Sequence, residues 1–378
     1  MKILFLVNNL NFFISHRLPI AEALIAKGID VIIGYGELGG SNPELLKRKG
    51  FRLSSVPMQR GGTNFFKDLK TLYFIWKFFK KEKPNLAHLI TIKPYIYGGI
   101  ISHLTSVPGL VSAVSGLGTL FIHDDLKGQF LRFLIYPIYR LAFSYSNQKV
   151  IFQNEKDAEV FIRWGVLNST KVQIIKSSGV RLEKFVNLEE ESSEKPVVCF
   201  AARLLRDKGV YEFVYAARLL KEKGIQARFL LAGDLDIKNP SGLNIDDLNK
   251  LKEDNYVEII GYQKDMPALY SSSHIICLPS YREGLPKSLA EAAAASRAIV
   301  TTDVPGCRDA IIPNKTGLLV PVKDPKKLAD ALEWLIEHPK ERIAMGKAGR
   351  KFAEKVFPIE KIVQSHLDIY QELTGKVF

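Results

Sequence analysis

Short β-branched, apolar runs alternate with helix-length amphipathic stretches along all 378 residues of the chain. This alternation predicts parallel sheets covered by helices, an α/β architecture. In the first half, residues 2–7, 30–33, 86–90, 109–113 and 149–152 read as strands, with the first helix starting near Pro19. A second cycle supplies strands at 197–202, 228–232, 257–260, 275–278 and 298–301. Between them, residues 187–196 are polar, acidic and poor in apolar side chains, as expected of an exposed linker. The length also favours two cores over one. The expected layout is therefore a domain over 1–186, a linker over 187–196, a second domain over 197–358 and a terminal helix within 359–378. In that helix Ile362, Val363, His366, Ile369, Tyr370 and Leu373 share one side.

One further helix stands out, over residues 64–83. Phe65, Leu69, Leu72, Trp76 and Phe79 recur at alternating four- and three-residue spacing and predict a core stripe. The opposite face carries Lys67, Lys70, Phe74, Lys77, Phe78 and Lys81, aromatics among lysines where water is expected. That face resembles a helix lying in a membrane interface, the alternative being another element that covers Phe74 and Phe78. Residues 126–149, apolar around Lys127, Arg132, Arg140 and Lys149, would widen the same patch. No window is long and uncharged enough to span a bilayer, and the run 3–7 is too short for a secretory signal.

Composition sharpens this picture in two ways. The net charge of +13 lies wholly in the first half: residues 1–186 hold 25 Lys and Arg against 12 Asp and Glu, and residues 187–378 hold 28 against 28. A one-sided basic half implies a polyanionic partner, whether nucleic acid, an anionic membrane surface or a phosphorylated substrate. No nucleic-acid module or aromatic RNP motif accompanies it, so no nucleic-acid partner is expected. Cys199, Cys277 and Cys307 are odd in number and lack metal-like spacing, which implies a reduced, cytoplasmic protein. His88, His103, His123 and His274 occur singly with no ligand partner at suitable spacing, so no metal site is expected.

The first strand runs into Asn8-Asn-Leu-Asn-Phe-Phe13 instead of a glycine-rich dinucleotide fingerprint, which argues against an oxidoreductase. The corresponding turn in the second half is Ala202-Arg-Leu-Leu-Arg-Asp-Lys-Gly209, with Arg203 and Lys208 ahead of a helix. An Arg fork, a Lys point charge and a helix N-terminus together outline a phosphate site; the alternative is an exposed basic loop. Farther on, Glu283 sits in a loop before a helix that Pro286 opens, and Glu291 follows about two turns into it. Carboxylates accept from sugar hydroxyls and helix-start amides bind phosphate oxygens, so this turn suits a sugar diphosphate. Taken singly, Glu283 would also serve as a dipole partner and Glu291 as an ion-paired or solvated residue.

The segment E-G-L-P-K-S-L-A-E, from Glu283 to Glu291, resembles the paired-glutamate signature of the retaining GT-B glycosyltransferases of family 4. A-R-L-L-R-D-K-G and G-L-L-V-P-V-K-D-P are similar to that family's donor-domain segments. The N-terminal half, with F-F-I-S-H-R-L-P, T-I-K-P and S-G-L-G, resembles the bacterial subgroup that builds O-antigen, capsule and lipid-linked oligosaccharides, including enzymes that add N-acetylgalactosamine to undecaprenyl-diphosphate sugars. The resemblance covers essentially the whole chain. It implies two Rossmann-like domains facing a cleft, with the terminal helix crossing back to the first, and metal-independent transfer of a hexose or N-acetylhexosamine from a nucleotide sugar, UDP-linked by expectation. The implied acceptor is a polyprenyl-diphosphate-linked saccharide met by a peripheral protein at the cytoplasmic membrane face. No cofactor is implied.

Carried over onto this chain, Arg203 and Lys208 would neutralise the departing diphosphate, and Glu283 with the amides of Gly284, Leu285 and Pro286 would hold the transferred sugar. Lys287 and Ser288 would present amides to phosphate, Glu291 would hold the ribose, and the nucleobase would lie near Tyr262. On the acceptor side the resemblance nominates His16, Lys93, Ser115 and Gly116. Lys93 reads as a loop cation with little structural purpose, and His16 as either a site contact or a helix-capping residue. The glycine-free first loop departs from relatives with a glycine-rich one. A nucleotide-sugar epimerase or hydrolase of the same fold is the rival within enzymes, and it would need no basic membrane face.

Overall fold

The computed structural model describes residues 1–59, 64–118, 121, 126–185, 190, 195–237 and 239–378. Most of the 187–196 segment, His123 and the side chain of Lys127 lie outside them. The chain divides into two compact units, Met1–Ser178 with Glu360–Phe378, and Gly179–Ile359.

The first unit is built on seven strands, β1 (Lys2–Asn9), β2 (Asp30–Glu37), β3 (Arg52–Ser55), β4 (Leu86–Ile90), β5 (Gly109–Val114), β6 (Gln148–Phe152) and β7 (Val172–Ile174). They pair in parallel in the order β3-β2-β1-β4-β5-β6-β7. Helices α1 (Leu10–His16), α2 (Leu18–Ala26), α3 (Pro43–Arg48), α4 (Phe65–Glu82), α5 (Ile92–Thr105), α6 (Leu126–Phe143) and α7 (Glu155–Arg163) connect them. Alternate residues of β1 point to opposite faces: Leu4 and Leu6 join a core with α4, α5, α6 and α7, and Ile3, Phe5 and Val7 join one with α1 and α2.

The second unit has strands β8 (Val197–Ala201), β9 (Arg228–Ala232), β10 (Glu258–Gly261), β11 (Ile275–Leu278), β12 (Ala298–Thr302) and β13 (Gly317–Val320), in the parallel order β10-β9-β8-β11-β12-β13. Its helices are α8 (Val210–Glu222), α9 (Ile245–Asp254), α10 (Met266–Ser271), α11 (Lys287–Ala294), α12 (Pro325–Glu337) and α13 (Pro339–Val356). The final helix, α14 (Ile359–Thr374), buries Ile362, Leu367, Ile369, Tyr370 and Leu373 in the first unit's β1 and α2 core. In each sheet the chain moves outward to one side and then returns beside its first strand. This leaves a topological switch point between β1 and β4 and another between β8 and β11, where open α/β sheets bind ligands beyond the strand ends.

Three expectations need correction. The first helix starts at Leu10 and not near Pro19, because Asn9 accepts the Phe12 amide as an N-cap; Pro19 instead opens α2. Strands β3, β7 and β13 were not anticipated, being three or four residues long and lying at sheet edges or pairing at one. On α4 the expected core stripe is rotated: Phe65, Leu69 and Trp76 are exposed, and Thr71, Ile75, Phe78, Phe79 and Glu82 are buried. Thr71 donates to the Pro57 carbonyl at 2.6 Å and Glu82 pairs with Arg52 at 2.8 Å, so distant partners let two polar positions face the core. Phe78 lies over Gly34, where any Cβ would fall 2.6 Å from its ring.

Candidate active site

At the second unit's switch point two turns meet. After β8 the chain passes Arg203 and a 3-10 turn at Arg206–Lys208, then enters α8 at Gly209. Gly209 has φ +76°, and a Cβ there would lie 2.2 Å from the Pro279 carbonyl oxygen, so only glycine lets this turn touch the end of β11. The contact is fastened by the Tyr281 amide and the Ser280 hydroxyl, which donate to the Asp207 carbonyl at 2.8 and 3.0 Å. Tyr281 Oη donates to Glu212 at 2.6 Å, and that carboxylate with burial pushes the phenol upward. As a result Lys208 Nζ is ion-paired with Glu283 Oε1, both side chains largely buried.

Arg203 stands at the rim, half-exposed, with Nη1 2.5 Å from Asp236 Oδ2. Asp236, on the loop after β9, gave no signal in the sequence, since its partner lies 33 residues away. α11 begins at Lys287 with Pro286 as N-cap, and its intrahelical bonds start with Leu289 and Ala290 donating to the Pro286 carbonyl. The amides of Lys287 and Ser288 precede those bonds and form the positive end of the helix. Gly284 and Leu285 lead into this turn, and Gly306, at φ +79°, packs beneath it; a Cβ on Gly306 would lie 2.3 Å from the Gly284 carbonyl oxygen. Glu291 lies about one turn into α11, not two, and Lys287 Nζ is 3.2 Å from its Oε1. Burial raises its carboxyl above the usual range, opposed by Lys287 and Lys184. Tyr262 follows β10 just after Gly261 and is exposed.

The four acceptor nominees all fall in the first unit, on the segments that follow β1, β4 and β5. His16 is the last residue of α1, its ring stacked on Phe12 at 4.1 Å and its Nδ1 3.2 Å from the Phe12 carbonyl oxygen. Lys93 is the second residue of α5 and not a loop residue, and it has the structural partner that the loop reading denied it: Asp68 of α4, at 3.0 Å. Ser115 follows β5 with its hydroxyl buried and without a hydrogen-bond partner among the described residues, and Gly116 has φ +143°. Sequence reasoning overlooked Arg17, whose Ser178 partner is 161 residues away. It also treated His88 as solitary, whereas His88 stacks on His366 at 5.7 Å and its Nδ1 is 2.5 Å from Tyr370 Oη. Among the described residues no group of three or more His, Cys, Asp or Glu is placed to hold a metal ion.

These arrangements have counterparts elsewhere. Residues 183–352 match the family model described as glycosyl transferases group 1, and residues 2–154 match glycosyl transferase 4-like. The chain is 31% identical to the N,N'-diacetylbacillosaminyl-diphospho-undecaprenol alpha-1,3-N-acetylgalactosaminyltransferase of Campylobacter jejuni, over 97% of this chain and 99% of that protein. It is 25% identical to the UDP-Gal:alpha-D-GlcNAc-diphosphoundecaprenol alpha-1,3-galactosyltransferase of Escherichia coli, over 84% of this chain and 83% of that one. The crystal structure of Anabaena HepE with UDP and glucose superimposes with a TM-score of 0.79 at 17% identity, covering 98% of this chain and 99% of that one. The two Rossmann-like units are therefore those of the GT-B fold, and the chain belongs to the group 1, family 4-like glycosyltransferases.

Proposed function

We propose that this glycosyltransferase moves a hexose or N-acetylhexosamine from a UDP-sugar to a polyprenyl-diphosphate-linked saccharide, with retention of configuration and without a metal, in bacterial surface-glycan assembly. The second unit binds the donor and the first the acceptor. The observation that carries this is the joining of Lys208, Glu283 and the α11 N-terminus at one switch point, with Arg203 at its rim. The bond between the anomeric carbon and the diphosphate oxygen breaks, a bond to an acceptor hydroxyl oxygen forms, and the hydroxyl proton passes to the departing diphosphate. Negative charge grows on that diphosphate as the bond breaks, and Arg203, Lys208 and the amides of Lys287 and Ser288 are arranged to meet it. Glu283 would accept from the transferred sugar once Lys208 turns to phosphate, and Glu291 would accept from the ribose. The relatives' names supply the acceptor class.

The membrane face of this reading rests on the first unit. Phe65, Phe66, Leu69, Tyr73 and Phe74 of α4 are exposed, as are Leu126, Phe130, Leu131, Phe133 and Leu134 of α6. The α4 acids are already engaged, Asp68 by Lys93 and Glu82 by Arg52 and Lys2, and the α6 sequence contains none. Lys67, Lys70, Lys77, Lys80 and Lys81 thus stand exposed beside apolar surface, the composition that binds an anionic leaflet. No helix among the described residues is long and apolar enough to cross a membrane.

The test is turnover with UDP- and GDP-sugars against N-acetylglucosamine- and diacetylbacillosamine-diphosphoundecaprenol, with and without EDTA, and with product anomers assigned by NMR. Retained anomeric configuration and EDTA-resistant turnover with a UDP-sugar are expected. An inverted product, or loss in EDTA restored by Mg²⁺, would overturn the corresponding part.

A further inference from the structure

Arg17 joins α1 to α2 and is only 2% exposed. Its Nη1 donates to the His16 carbonyl at 3.0 Å and to Ser178 Oγ at 3.2 Å, while its Nε has no partner among the described residues. Among the described residues no carboxylate pairs with it. Its electrostatic neighbours are Tyr370, His88 and His366, and burial disfavours the charged form of both histidines. Burial lowers the guanidinium to about 10, which leaves it charged at neutral pH. A buried cation without a counter-charge weakens a fold, so its presence calls for a purpose other than stability. Arg342 is the contrast: equally buried, it is bonded to Glu190 at 2.6 Å and to the Leu335 carbonyl at 2.9 Å, a neutralised structural pair.

What Arg17 holds is informative. His16 is fastened at its backbone by the guanidinium and at its ring by Phe12. Ser178 is held by Arg17 and, at 3.5 Å, by Gln153 of the β6 end. One side chain thereby links the segment after β1 to the segment after β7, across the strand-end edge of the first sheet. We propose that Arg17 is a positioning residue for the acceptor: its uncompensated charge fixes the His16 backbone, and with it the imidazole, where the acceptor binds. This rests on the reading of His16 as an acceptor contact.

Arg17→Met removes the charge and keeps much of the volume. With whichever diphosphoundecaprenol saccharide supports turnover, acceptor KM is expected to rise roughly 10-fold or more through misplacement of His16, with kcat and UDP affinity little changed. The thermal midpoint should hold or rise, since an unpaired buried charge has gone. Arg17→Lys should recover part of the KM. Because Arg17 acts through His16, adding Arg17→Met to His16→Ala should raise KM no further. Ser178→Ala, which loosens the guanidinium without removing it, should shift KM in the same direction by less, and it serves if the Met variant does not fold. A lowered midpoint with wild-type acceptor KM would make Arg17 merely structural and overturn the inference, as would additive effects in the double variant. If His16→Ala alone leaves acceptor KM unchanged, the reading of His16 falls and the inference with it. If His16→Ala raises KM and neither the Arg17 nor the Ser178 variants do, only the inference falls.

Discussion

The two switch points share one topology and differ in chemistry. Beyond β8 and β11 three cations are matched to carboxylates: Lys208 with Glu283, Arg203 with Asp236 and Lys287 with Glu291. Beyond β1, β4 and β5 the chain places one such pair, Lys93 with Asp68, beside hydroxyls and strain. Thr91 adopts φ +76° and ψ 168°, a region that a β-branched residue rarely enters, and its hydroxyl and that of Ser115 are buried without hydrogen-bond partners among the described residues. The sheet topology sets where a ligand site forms, and the residues at the strand ends set what it recognises. Matched pairs suit a diphosphate that exchanges one anion for another. Buried neutral hydroxyls suit a ligand recognised by hydrogen bonds to its own hydroxyl groups.

The comparison is broken most directly at Lys208. Lys208→Ala should lower kcat by about 10²-fold or more, because it removes charge stabilisation that grows in the transition state and leaves Glu283 without its cation. A folded variant, checked by circular dichroism, that keeps wild-type kcat would remove the donor clamp from the second unit. His16→Ala should act on acceptor KM instead, so the kinetic constant that moves reports which switch point was touched.

The turns after β8 and β11 were legible as candidate phosphate and sugar turns because they are local. Arg203 to Gly209 and Glu283 to Glu291 are each a short run whose chemistry follows from adjacent residues. α4 was misread because a wheel of apolar residues ignores polar ones satisfied from afar: Thr71 reaches Pro57, and Glu82 reaches Arg52 and Lys2. α1 was missed because Asn9, its cap, looked like part of a loop. The Arg17, His88, His366 and Tyr370 cluster was invisible for the same physical reason, since His88 and Tyr370 are 282 residues apart.

A second difference between the units lies on their surfaces, where five exposed lysines of the first unit stand on α4 and exposed apolar surface lies on α4 and α6. A lysine near an anionic leaflet contributes about 1 kcal/mol, so Lys70→Glu/Lys77→Glu, which removes two such charges and adds two repelling ones, should weaken binding to phosphatidylserine vesicles by roughly 30-fold or more at low salt. Phe130→Ser/Phe133→Ser should weaken it too, by an amount that salt does not alter, because apolar burial is not screened. UDP affinity should be unchanged in both variants. Wild-type protein that ignores these vesicles, or variants that bind them equally, would leave α4 and α6 without a membrane role.

The smallest expected effect concerns pH, where the buried groups of the two units respond with opposite sign. Burial raises the Glu291 carboxyl, so the stability its neutral form contributes is fully present below its ordinary value of 4.5 and is lost as pH rises from there through the raised folded value. His366 is the reverse case: burial and Arg17 lower it from 6.5 to about 3, and His88 is lowered for the same reasons. The folded state therefore binds fewer protons than the unfolded one, and stability present above pH 6.5 is lost as pH falls toward 3. One pH unit below 6.5, His366 alone should cost about 1.4 kcal/mol, a tenfold rise in the opening of α14. Hydrogen exchange of the α14 amides at pH 7.5 and 5.5, corrected for the intrinsic rate, measures that opening. His366→Phe, which keeps a ring and loses the titrating nitrogen, should weaken the dependence in α14, with His88 supplying the remainder, and leave α11 as it was. An α14 that opens equally at both pH values in the wild type would mean that the histidine cluster does not bear on its docking.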